Sequence, residues 1–270
     1  MASASFFSIL VLFVSVVAST NSVYQTALVI ATDDGTADQA VTTLQSYGMQ
    51  YQVLNVPSTG TSLPSLETIS GSNNMANFGL LIVISQVSYD YGGTIGWASA
   101  LTDTQWNALY AYQTKYKVRM IQLNVYPGAI EGTAIVPGSD PNGCCDTEEQ
   151  LASLIDTSFI PTAGLRSSPL STLGLWHFPA VITDPTTVTP FLRFGTNSFF
   201  PAESVAGVTK IYSDGREEMG FFIGGGSWSR TTIYLGHVWF HWGYRGLYSG
   251  FRRVYLGTQG TYFWTLFRAL

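Results

Sequence analysis

A chain of 270 residues that is 46% hydrophobic and only 11% charged has ample material for a buried core, which excludes the disordered class. Seventeen acidic residues against twelve basic ones give a net charge of −5 with no Lys/Arg-rich run, so nucleic acid is not an expected partner. No apolar run reaches the length of a membrane helix, so no membrane partner is expected either.

The first element is the thirteen-residue apolar run Phe6 to Ala18, closed by Val16-Val17-Ala18. Its length and its small residues fit a secretory signal over residues 1–22, with the folded part starting at Val23 and the protein exported from the cell. Residues 23–157 read as an α/β domain. The β-rich run at 26–31, a helical pattern from Ala37 to Tyr47 stopped by Gly48, and a strand at 51–55 make a βαβ unit. A third strand at 80–84 (LLIVI), a helix from Thr102 to Lys117 opened by its Thr cap, and a fourth strand at 119–124 continue the alternation, which predicts a parallel sheet.

Prolines and glycines interrupt residues 126–142, and Thr147 to Ile155 reads as one short helix. Between them lie Cys144 and Cys145, the only cysteines. As neighbours they cannot staple distant segments, and no adjacent base marks either as catalytic. Residues 158–223 hold short apolar runs with many Ser, Thr and Pro, the pattern of a β-rich, sandwich-like module or insertion. After the strand MGFFI at 219–223, the stretch 224–259 returns to α/β character with Gly224-Gly225-Gly226, a helix capped by Ser229 and ended near Gly246, and a strand around 252–256. The expected fold class is therefore α/β: a mostly parallel sheet with flanking helices, plus the β-rich module.

Two short motifs raise the question of a metal. His237 and His241 are four residues apart, a spacing that faces both imidazoles one way on a helix, and Asp33-Asp34 follow the first strand directly. The two motifs resemble the Asp-Asp and His-x-x-x-His ligands of metal-dependent polysaccharide deacetylases, and the resemblance implies a compact enzyme using Asp33, Asp34, His237 and His241. Against it, the gap between the pairs is about two hundred residues, and Val238 stands where a His-Glu-x-x-His helix needs its general base. No phosphate loop follows the first strand and no Gly-x-Ser-x-Gly follows any strand, so nucleotide and nucleophile-elbow chemistry are not expected. No metal and no cofactor is assigned.

Aromatic residues make up 14% of the chain, and several fall in predicted loops. Tyr89, Asp90, Tyr91, Trp97, Trp176 and Trp228 are the candidate carbohydrate-binding residues, since a sugar's C–H face packs on an aromatic ring while Asp takes its hydroxyls.

The stretch LGHVWFHWGYRGLYSGFRRVYLGTQ at 235–259 resembles the end of the non-catalytic N-terminal region of secreted fungal galactosaminogalactan (exopolysaccharide) deacetylases. So do QVLNVPSTGTSLPSLE at 52–67, LIVISQVSYDYGG at 81–93 and the Trp106 helix leading into VRMIQLNVYPG, and the similarity covers most of residues 24–259. The resemblance implies an extracellular carbohydrate-binding part, with an amino-sugar-containing and possibly cationic polysaccharide as partner. It also implies that the family's metal-dependent catalytic module begins just after the position of Thr258-Gln259. Residues 260–270 do not match, and read two bases later the codons for Gly260 to Thr265 permit Asp-Val-Phe-Leu-Asp, as a frameshift or truncation would leave them. The competing readings are the compact deacetylase using Asp33, Asp34, His237 and His241, and a structural remnant that binds nothing.

Overall fold

The computed structural model describes residues 22–70, 73–137, 149–156, 164–165, 169–248 and 254–255. The apolar leader, Cys144 and Cys145, and the tail at 260–270 lie outside the described residues.

In chain order the first half contains β1 (Ser22–Tyr24), β2 (Ala27–Ala31), α1 (Asp34–Ser46), β3 (Tyr51–Asn55), β4 (Glu67–Ser70), β5 (Asn73–Ala76), β6 (Leu80–Ile84), β7 (Ser88–Asp90), β8 (Trp97–Ser99), α2 (Asp103–Tyr116) and β9 (Arg119–Leu123). The second half contains β10 (Thr133–Ile135), β11 (Ala152–Leu154), β12 (Ala180–Ile182), β13 (Val188–Phe194), β14 (Ser204–Ile211), β15 (Glu217–Phe221), α3 (Arg230–Tyr248) and β16 (Val254–Tyr255).

Five strands in the order β3-β2-β6-β9-β15 run parallel, as the alternating pattern predicts. Every residue of β2 and of β6 is buried, because helices cover both faces. Leu81, Met120 and Glu218 share one face by register, and Gln113 of α2 donates to Glu218 there. Leu80 and Arg119 share the other face. A Cβ on Gly243 of α3 would press on Leu80, and Arg119 donates to the Trp242 carbonyl. So α2 lies on one side, and α3 lies on the other beside α1.

Local signals set the helix boundaries. Asp33 accepts from the Thr36 N–H at 2.8 Å, so α1 starts three residues before the expected Ala37. Thr102 and Gln105 form a reciprocal capping box on α2.

The β-rich region corrects part of the expected fold class. It continues the same sheet: β14 is antiparallel to β15, β13 to β14, and β11 to β13, while β12 pairs with β14 at Ala180–Val205 and β10 with β12. The sheet is therefore mixed. Over its described part, the short helix expected at 147–155 is instead β11, whose pairing with Leu192–Phe194 overrides a weak helical pattern. A second sheet, β16-β1-β5-β4, joins the two ends of the described chain through parallel pairing of β1 with β16. Among the described residues no helix is long and apolar enough to cross a membrane.

Candidate functional site

The parallel strands follow the order second, first, third, fourth, fifth, which places ligands outside the carboxyl ends of the strands. The strand ends lead into Thr32-Asp33 after β2, Val56 to Ser58 after β3, Ser85 to Tyr91 after β6, Asn124 after β9 and Gly224 to Trp228 after β15. All six residues chosen from the sequence attach to this edge, in two groups.

The first group is the β7–β8 hairpin. Tyr89 donates its hydroxyl to the Val56 carbonyl at 2.8 Å and Tyr91 donates to the Ser58 carbonyl at 2.6 Å, so the hairpin is tied to the loop after β3. Their rings meet edge-on with centroids 6.4 Å apart. Burial, then the nearby Asp33 carboxylate, raises the pKa of the Tyr89 hydroxyl. On the opposite face of the hairpin Asp90 stands directly across from Trp97, and directly opposed residues share a face. Trp97 is 74% exposed, and the Asp90 carboxylate holds the turn by accepting from the Gly92 N–H at 2.8 Å.

The second group surrounds the glycine run after β15. The Gly224 N–H donates to the Trp176 carbonyl at 2.6 Å, which brings Trp176 beside the run. Trp228 lies over two glycines: a Cβ on Gly174 would sit 3.2 Å from its ring, and one on Gly226 would collide with the indole. The absence of side chains is what allows the indole to approach the backbone there. Trp176 and Trp228 are 54% and 68% exposed. Among the described residues no ring contact links this group to the hairpin.

Sequence reasoning missed what lies between the groups. Ser85, Gln86 and Val87 take φ values of 52°, 51° and 52°, and Asn124 takes 54°. Such angles are costly for non-glycine residues, most of all for β-branched Val87, and strain of this kind concentrates at functional positions. Asn124 donates to the Ser85 hydroxyl at 2.7 Å, and Gln86 donates to the Glu131 carboxylate at 2.6 Å. Burial pushes Glu131 up to about 7. The run Ser-Gln-Val-Ser has no glycine, so nothing in it announces a left-handed turn.

The compact metal set is not assembled. Asp33 caps the start of α1, and Asp34 accepts from Asn55 at 2.7 Å at the same end. His237 Nδ1 and His241 Nε2 both meet the hydroxyl of Tyr47, at 2.5 and 3.1 Å, at the far end of that helix. Thirteen helical residues span about 20 Å, so the two pairs cannot share an ion. Tyr47 also stacks on Phe240 with centroids 3.7 Å apart, which makes the histidine motif a packing contact between α1 and α3.

Residues 23–242 match the family model Agd3 CBM87. The chain belongs to the Agd3 CBM87 family, a family of carbohydrate-binding modules. Among solved structures it is similar to that of Agd3, described as a novel carbohydrate deacetylase, with 46% identity and a TM-score of 0.78. The match covers 86% of this chain and 34% of that one, so the chain spans about a third of the length of its relative. A glutamine amidotransferase from Thermotoga maritima overlaps 83% of this chain and 83% of its own at 10% identity and a TM-score of 0.43, too slight a likeness to bear on fold or function. No curated protein matches the chain. Within the CBM87 match fall both aromatic groups, the strained turn after β6 and the buried Glu131.

Proposed function

We propose that this protein is the polysaccharide-binding part of a deacetylase-like system, acting outside the cell on an amino-sugar-containing polymer. The observation that carries the reading is the Agd3 CBM87 match over residues 23–242. The sugar surface proposed is the carboxyl edge of the parallel strands, with Tyr89, Asp90, Tyr91 and Trp97 in one subsite and Trp176 and Trp228 in another. Three exposed tryptophans at one sheet edge supply flat apolar faces for sugar rings, and fixed carbonyls and carboxylates beside them take hydroxyl groups. The role proposed for these residues is binding, since the family model they match is that of a carbohydrate-binding module.

Retention of the purified protein on an insoluble galactosamine-rich polysaccharide, with a neutral glucan as control, tests this. Retention on the first and not on the second is expected. Equal loss from both would leave the reading of a non-binding remnant.

A further inference from the structure

The positive charges are distributed unevenly along the chain. Residues 1–114 contain no Lys, Arg or His, while Asp33, Asp34, Asp38, Glu67, Asp90 and Asp103 give that stretch a charge of −6. All twelve basic residues lie at Lys115 or later and offset eleven acidic ones, leaving +1 there and −5 in total. The fold places the cation-free stretch at one end of the carboxyl edge. Asp33 and Asp34 open α1, Asp103 opens α2, and the β7–β8 hairpin lies over the loop after β3, with no cation in α1, in the hairpin or in the first turns of α2. Lys115 lies at the other end of α2, paired with Glu67. At the Trp176 and Trp228 group, by contrast, Arg230 begins α3 two residues after Trp228.

On the hairpin, one carboxylate shares a face with one exposed indole. Directly opposed Cβ atoms on paired strands lie about 5 Å apart, so the two side chains are near enough to act on one sugar residue. One Asp90 oxygen is held by the Gly92 N–H, which anchors the carboxylate to the hairpin turn.

We infer that Trp97 and Asp90 select sugars by the charge of their nitrogen: the indole stacks the ring of a hexosamine and the carboxylate pairs with its free ammonium group. N-acetylation removes that charge and adds bulk, so the hairpin discriminates the deacetylated polymer from the acetylated one. This rests on the proposed sugar-binding reading and assigns the amine specificity of that surface to one pair of side chains.

The test uses the full chain and one galactosamine polymer in two forms, fully deacetylated and chemically re-acetylated, with affinity measured in ~0.1 M salt. The wild type is expected to bind the free-amine form at least about tenfold more tightly, with the preference fading toward ~1 M salt. Asp90→Asn keeps an oxygen for the Gly92 N–H, so its fold is retained, and its preference is expected to fall below about threefold. Trp97→Ala is expected to weaken binding to both forms by about tenfold or more. An unchanged preference in Asp90→Asn, or a wild type that binds the re-acetylated form equally well, overturns the inference and leaves the binding reading in place. A wild type that binds neither form overturns both.

Discussion

In the parallel half of the main sheet, β2 and β6 are buried along their whole length, whereas β13 and β14 in the antiparallel half mix buried positions with half-buried and exposed ones. The difference follows from what covers the parallel strands: helices on both faces enclose them. Charge divides the sheet at a different place, between β6, which has no cation, and β9, which opens on Arg119. Up to the end of α2 the chain has no cation before Lys115, and the later half contains Lys210, Arg193 and Arg216 on or beside its strands. A single sheet thus has a cation-free end at β3, β2 and β6 and a charge-balanced remainder from β9 onward, and the proposed amine selectivity depends on that separation.

The comparison breaks most visibly at the seam, where Glu131 reaches across to Gln86. Its carboxyl is raised from 4.5 to about 7 by burial, so the folded protein resists its ionisation. The stability this group contributes is complete below pH 4.5 and is lost as pH rises through about 7. Glu131→Gln retains an oxygen for Gln86 and removes the charge. Denaturant unfolding at pH 8 is expected to show the variant more stable on the order of 3 kcal/mol, with little difference at pH 4.

A smaller effect is expected within the antiparallel half. A Cβ on Gly207 of β14 would lie 2.7 Å from the Phe191 ring of β13, so Gly207→Ala overpacks the hairpin at a cost of about 1–3 kcal/mol. Thermal unfolding that shifts down as one transition sharpens the picture of a continuous sheet. A split into two transitions would show halves that unfold independently.

The smallest effect belongs to the helix pair behind the parallel half. Burial, then the neighbouring His237, lowers the pKa of His241 below 6.5. Stability from burying His241 in its neutral form is therefore full above pH 6.5 and falls as pH drops below it, because the unfolded chain takes up the proton more readily. A melting temperature that declines from pH 7.5 to pH 5, and declines less in His241→Gln, is the expected outcome.

Much of the parallel half was legible because its signals are local. LLIVI reads as a buried strand wherever it sits, and Thr102 with Gln105 caps a helix within a single turn. The exposed tryptophans were legible as candidates because bulky aromatics in loops are conspicuous, yet their sorting into a hairpin group and a glycine-backed group was not. The left-handed run at Ser85 to Val87 was invisible, since its residues carry no turn signature and their strain is held by distant partners such as Asn124 and Glu131. The helix expected near Thr147 gave way to β11 for a related reason: three residues have little propensity of their own, and a paired strand 40 residues away decides their state.

HVWFHW shows where the boundary falls. The four-residue spacing determined that His237 and His241 share a helix face, and composition determined an acidic, cation-poor first half. Only the tertiary structure decided that both imidazoles meet Tyr47, and that Asp33 and Asp34 stand a helix length away. A sequence specifies which groups lie on one face of an element, but contacts between elements depend on how their buried faces pack together, and that packing places the aspartates at the carboxyl edge of the parallel strands and the histidines at the far end of α1.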